Sequence, residues 1–175
     1  MEPLAGPLLA AAVLLVLGGA PKMVRPEPTA RALASLRLPA PPGAVRALGL
    51  AEVAIGAGAL LTGGRAFALA MGASYLAFAL FLLAALARPQ RLRSCGCLGA
   101  TETPPTGLHL LLNLAGASIA LLVAASPIGP VARVVAVQPA WGIPFLLLTA
   151  ACVWFAYLAL SRLSELSTLW GGARR

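Results

Sequence analysis

The chain predicts an all-α fold: a polytopic membrane helix bundle of about five transmembrane helices, forming one integral membrane domain over residues 1–175. Three observations carry that reading. The residues are 60% hydrophobic and only 10% charged, whereas soluble domains run about half apolar and about a quarter charged. Mean hydropathy is correspondingly high, at +0.91. The apolar residues also fall in runs of roughly 18 or more, the length that crosses a hydrocarbon core of about 30 Å, and Pro and Gly mark the breaks between runs.

The first helix is expected over residues 4–20, where Leu, Ala and Val dominate and Pro21 closes the run. A cleaved signal peptide would open with a positively charged region, but Met1-Glu2-Pro3 carries none, and cleavage after Ala20 would leave Pro21 across the junction. The helix is therefore expected to be retained. Next, residues 29–38 place Ala30, Leu33, Ala34 and Leu38 at helical spacing, with Arg31 and Arg37 elsewhere. This segment reads either as a short helix on the membrane surface, arginines toward headgroups, or as an ordinary basic loop. The second helix is expected over 44–61 and the third over 65–87, divided by Gly63-Gly64. A loop, 88–106, leads to the fourth helix at 107–125. Pro127 and Pro130 then precede the fifth, at 142–161. Gly49, Gly56, Gly58, Gly72, Ala73 and Ser74 would let helix backbones approach closely. Trp141 and Trp170 are the best interface anchors, with Trp154, Tyr75 and Tyr157 behind them.

The net charge of +8 is a membrane signature here, with no nucleic acid expected as a partner. The basic residues sit in the gaps between apolar runs, and none are interleaved with aromatics on a soluble face. Five crossings put two of the 13 basic residues, Arg65 and Arg133, on the side of the N-terminus. The other eleven, Lys22 and the arginines of 88–106 among them, fall on the opposite side. An excess of Lys and Arg marks the cytoplasmic face, which places the N-terminus outside and the 88–106 loop inside.

That loop carries the chain's most distinctive chemistry, Cys95-Gly96-Cys97 after Arg91 and Arg93. Two thiols one residue apart close only a tight ring, and Gly96 eases it by tolerating unusual backbone angles. A strained disulfide is readily reduced and tends to be exchangeable. Arg93 and Arg91 favour the thiolate, the form that attacks disulfides and binds metals. Three readings stay open: redox exchange, binding of a soft metal such as Cu(I) or Zn(II), and a simple turn. In exchange, Cys95 or Cys97 would attack a partner disulfide as thiolate and the other would resolve the mixed disulfide. No further cysteine pair exists to relay electrons, so catalytic turnover needs a quinone or a separate redox protein.

Glu52 is the one acidic residue within an apolar run. A carboxylate there must face the bundle interior, be protonated or pair with a cation, which makes it a proton site or a polar anchor; Arg46 and interfacial water are in reach. His109 is an acid-base candidate for a thiol, or an amphipathic side chain at headgroup level. Asn113 is expected to bond across helices, and Cys152 to pack as a small hydrophobe. Two other classes of function compete with exchange. One is a non-enzymatic scaffold or small carrier with Cys-Gly-Cys as a turn or metal site. The other is a proton-coupled solute carrier that uses Glu52.

The layout of several short helices, Glu52 early in the second, and Cys95-Gly96-Cys97-Leu98-Gly99 after a basic stretch resembles the MauE family, methylamine-utilisation membrane proteins related to the DoxX-like group. Leu98 stands where the family motif usually has an aromatic, and Leu112-Asn113 where an Arg-Asn pair is usual. The resemblance implies a multi-pass protein of a bacterial inner membrane. It also implies a role in disulfide formation or maturation of an exported redox enzyme, methylamine dehydrogenase being the named case, with a thioredoxin-like partner. Cys95 and Cys97 would then be the redox pair and Glu52 the membrane carboxylate. Such a role expects the thiols outside, whereas the arginine excess expects them inside.

Overall fold

The computed structural model describes residues 3–87 and 105–172. Cys95, Gly96, Cys97 and Arg93 lie outside the described residues, as do the side chains of Trp141 and Trp170. The fold is all-α, with no strand among the described residues. Its helices are α1 (Ala5–Val24), α2 (Glu27–Ser35), α3 (Pro42–Thr62), α4 (Arg65–Leu86), α5 (Gly107–Ala125), α6 (Val131–Ala136) and α7 (Ile143–Gly172). Five of them contain stretches long and apolar enough to cross a membrane: α1, α3, α4, α5 and Ile143–Leu160 of α7. These are the five spans expected, and α5 has the expected bounds.

The differences have local causes. Helix α1 continues for a turn past Ala20, through Pro21, because a proline so near a helix end sacrifices a single backbone bond. The Arg25 N–H still closes onto the Pro21 carbonyl at 2.7 Å. The surface segment is helical but starts earlier, with Pro26 and Pro28 around its first turn. Its inward face is also rotated from the expected one. Thr29, Ala32 and Leu36 are buried, whereas Leu38 is exposed and so are both arginines. Helix α6 and the 3-10 turn Pro139–Gly142 occupy the stretch between the fourth and fifth expected spans, each started by a proline with its fixed φ.

Helix α1 is the centre of the bundle, packed on α3, α5 and α7, while α4 pairs with α5 and α3. Six of the eight buried positions of α1 (Ala5, Leu8, Ala12, Leu15, Gly19, Lys22) step by three and four residues, one stripe of a helix. Helix α3 repeats the pattern with Val45, Gly49, Glu52, Gly56 and Ala59. Outward-facing Leu50, Leu61, Leu80, Leu111, Leu147 and Phe155 are each more than half exposed, as suits a lipid-facing surface.

The two stripes meet through their glycines. A Cβ on Gly49 would lie 2.6 Å from the Gly19 carbonyl oxygen, and one on Gly19 would lie 2.7 Å from that of Gly49. Such backbone contact is how transmembrane helices gain packing when lipid supplies no hydrophobic drive between them. Helix α3 ends on Gly63 at φ +55°, a left-handed cap that a side chain would strain. Gly63 also touches the Gly129 backbone, so the turn after α3 and the segment after α5 share one end of the bundle. Arg65 Nε donates to the Ala124 carbonyl at the same end, at 2.9 Å. Gly72 lies against Leu121 and Ala120, and Tyr75 against Gly116, so α4 and α5 run antiparallel. Leu86 and Gly107, the helix ends that flank the Cys-Gly-Cys segment, accordingly share the opposite end with the last turn of α1.

Candidate functional site

Glu52 and Lys22 form an ion pair in the bundle interior. The Lys22 ammonium donates to both carboxylate oxygens of Glu52, at 2.7 and 2.6 Å. Their side chains are 2% and 1% exposed, so both charges have left water. Burying two ions is offset only by close geometry and further partners, and a third group is present. The Phe78 ring centroid lies 4.8 Å from the ammonium, a cation–π distance. Glu52 is therefore held by a cation, and that cation is Lys22 rather than Arg46.

Sequence reasoning missed Lys22 as a site residue because Pro21 read as the end of the first span, which made Lys22 a headgroup charge. Two signals were available. Lys22 continues the three-and-four stripe of Leu8, Ala12, Leu15 and Gly19, and a lone acidic residue in an apolar run requires a lone basic one at matching depth. Removing Lys22 from the surface count leaves the basic excess on the same side.

Tyr75 binds the core together beside this pair. Expected as a membrane-interface anchor, it is 8% exposed and donates its hydroxyl to the Ala11 carbonyl at 2.6 Å. Gly116 makes room for it, since a Cβ there would lie 3.0 Å from the ring. The tyrosine thus spans from α5 to α1.

A cavity of about 250 Å³ opens next to these groups, lined by Glu52, Tyr75, Phe78, Asn113, Gly116 and Cys152 among others. Asn113 was expected to bond across helices. Instead its amide nitrogen donates to the His109 carbonyl within α5, at 2.7 Å. That bond uses one N–H, and Asn113 has no other described partner for the second N–H or the carbonyl oxygen. Cys152 was expected to be packed away, but it is exposed and borders the cavity.

His109 does not face outward either. It is 3% exposed, one turn from Asn113 toward the 88–104 segment. Its Nδ1 lies 2.8 Å from the Thr106 hydroxyl, and its Nε2 is buried with no partner among the described residues. Among the described residues no group of three His, Cys, Asp or Glu side chains is assembled that would hold a metal ion.

The structure therefore gathers Glu52 and Asn113 at one cavity and sets His109 just beyond it, on the side where α4 and α5 lead into the cysteine segment. A family model described as methylamine utilisation protein MauE matches residues 3–126, more than half of the chain. No curated protein and no solved structure matches it.

Proposed function

The chain belongs to the MauE family, the multi-pass membrane proteins of methylamine utilisation, and from that premise we propose that it is a membrane thiol-disulfide exchange protein serving a thioredoxin-like partner. Cys95 and Cys97 are its redox pair. A thiolate of the partner attacks the Cys95–Cys97 disulfide and forms a mixed disulfide, releasing one chain cysteine as thiolate. The partner's second thiolate then attacks its own half of that bond. The partner leaves oxidised, and the chain is left with two thiols. Through that partner the chain supports disulfide formation or maturation of an exported redox enzyme of the methylamine dehydrogenase kind.

One observation carries this reading: the Cys-Gly-Cys pair lies in the link between two antiparallel spans, behind Arg91 and Arg93. Tethered to a span at each end, the pair belongs to one face of the membrane, open to a soluble partner, and the guanidinium charges favour the thiolate that the chain's cysteine becomes as it leaves. Glu52 supports the site from below as a polar anchor, since its pairing with Lys22 fixes α1 against α3 at the depth of the cavity.

The test is a chain carrying Cys95→Ser and Cys97→Ser together, expressed in a strain that lacks the wild-type copy. Maturation of the dependent exported enzyme is expected to fall to the level of the strain with no copy at all, while the variant accumulates in the membrane normally. Unimpaired maturation would remove the exchange role and favour a scaffold.

A further inference from the structure

Three features of the cavity specify its occupant. The first is its volume. At about 250 Å³ it falls slightly below the range for whole drug-sized ligands. It matches a single substituted ring and leaves no space for a long tail. The second is wall chemistry. Tyr75 and Phe78 offer aromatic faces, while Asn113 has one N–H and its carbonyl oxygen unspent among the described residues. Glu52 borders the same space with its charge already balanced by Lys22. A flat ring bearing hydrogen-bond acceptors fits such walls, whereas a free anion or cation would disturb a closed ion pair.

The third feature is the way in. Helices α5 and α7 both pack on α1 but make little contact with each other among the described residues. Ala115 and Cys152, which border the cavity from those two helices, are exposed. The opening therefore faces the hydrocarbon region, where a tail attached to the ring would lie in lipid.

We infer that this cavity, bounded by Tyr75, Phe78, Asn113 and Cys152, is a binding site for the headgroup of a lipid-soluble quinone. This rests on the exchange reading only for its purpose. Oxidation of the Cys95 and Cys97 thiols to a disulfide releases two electrons and two protons, and a quinone accepts both pairs to become a quinol. The acceptor that the chain's own cysteines cannot provide then comes from the membrane.

Cys152 is a built-in reporter. In the full-length chain carrying Cys95→Ser and Cys97→Ser it is the sole thiol, and its alkylation by a maleimide can be timed in detergent. Decylubiquinone at ten times its Kd is expected to slow that alkylation about tenfold, because only unoccupied protein reacts. Asn113→Leu is expected to raise the concentration needed by roughly five- to tenfold, the effect of one lost hydrogen bond. Should the double variant fail to fold, the unsubstituted chain serves, with Cys152 followed by peptide mass spectrometry.

Unchanged alkylation with decylubiquinone overturns the site and leaves exchange at Cys95 and Cys97 standing. Equal protection by decanol, which has the chain without the ring, also overturns it and makes the cavity an acyl-chain pocket. Protection by the quinone alone, combined with normal enzyme maturation by the double variant, removes the exchange reading and keeps the site.

Discussion

Replacing Lys22 with Met is expected to destabilise the bundle by about 3–5 kcal/mol, because it strips a buried carboxylate of its cation. Glu52 is 1% exposed, so bulk water does not stand ready to take the place of the ammonium. The carboxylate must then take up a proton, drag water inward or push α3 away from α1, and each route is costly in a dry interior. The same change removes the cation over the Phe78 ring. A methionine has nearly the length and flexibility of lysine, so lost packing contributes little. The unfolding midpoint of purified protein in mild detergent, followed by helical circular dichroism, measures the effect. Pairing Lys22→Met with Glu52→Leu is expected to restore most of the loss, since well-packed apolar residues commonly replace a buried ion pair without cost. An unchanged midpoint for Lys22→Met alone would mean that the two charges are not paired in a dry core.

The second large effect is expected at the contact between α1 and α3. Gly49→Leu places a Cβ 2.6 Å from the Gly19 carbonyl oxygen and 2.9 Å from the Lys22 Cβ. Both neighbours are too firmly held to yield, one being backbone and the other the root of the ion-paired side chain. The helices must separate, which forfeits backbone contact along the stripe and draws Lys22 away from Glu52. A loss of about 3 kcal/mol or more is expected, at the upper end for overpacked sites, and Gly49→Ala should retain part of the stability. Gly43 is the internal control. A Cβ there meets nothing within 4 Å, so Gly43→Ala should leave the midpoint within about 0.5 kcal/mol of the wild type. Equal tolerance at Gly49 and Gly43 would contradict the close crossing of α1 and α3.

The membrane spans were legible because their signal is redundant. Roughly 20 consecutive apolar residues have few other uses, and Pro or Gly stands at each break. The residues of the site were less legible, each for its own reason. Lys22 was hidden by Pro21, whose usual meaning as a terminator fails in the final turn of a helix. Tyr75 and His109 have amphipathic side chains that suit headgroups, yet Gly116 and Thr106 give them room or a bond in the interior. Asn113 satisfies an N–H on its own helix, and which way its remaining groups face depends on how α5 sits against α1. Cys152 is at the cavity edge because α5 and α7 stay apart, a tertiary fact without a local signature. The spacing rule could have done more than it did. Gly19, Lys22, Gly49, Glu52 and Gly116 all stand on inward stripes that recur by three and four residues.

Exchange at the cysteine pair is tested most directly by capturing its covalent intermediate. Cys95→Ser and Cys97→Ser, introduced singly, leave one thiolate that attacks the disulfide of the oxidised partner, the proposed exchange run in reverse, and forms the same mixed disulfide with no second chain cysteine to carry it further. Cells expressing each variant, quenched with acid and run without reductant, are expected to show an adduct with a thioredoxin-like protein in at least one case. The adduct should disappear on addition of dithiothreitol and be absent from the double variant. Both single variants migrating as free chains, alongside a control exchange protein whose mixed disulfide is trapped in the same cells, would contradict the assignment of Cys95 and Cys97 as a redox pair.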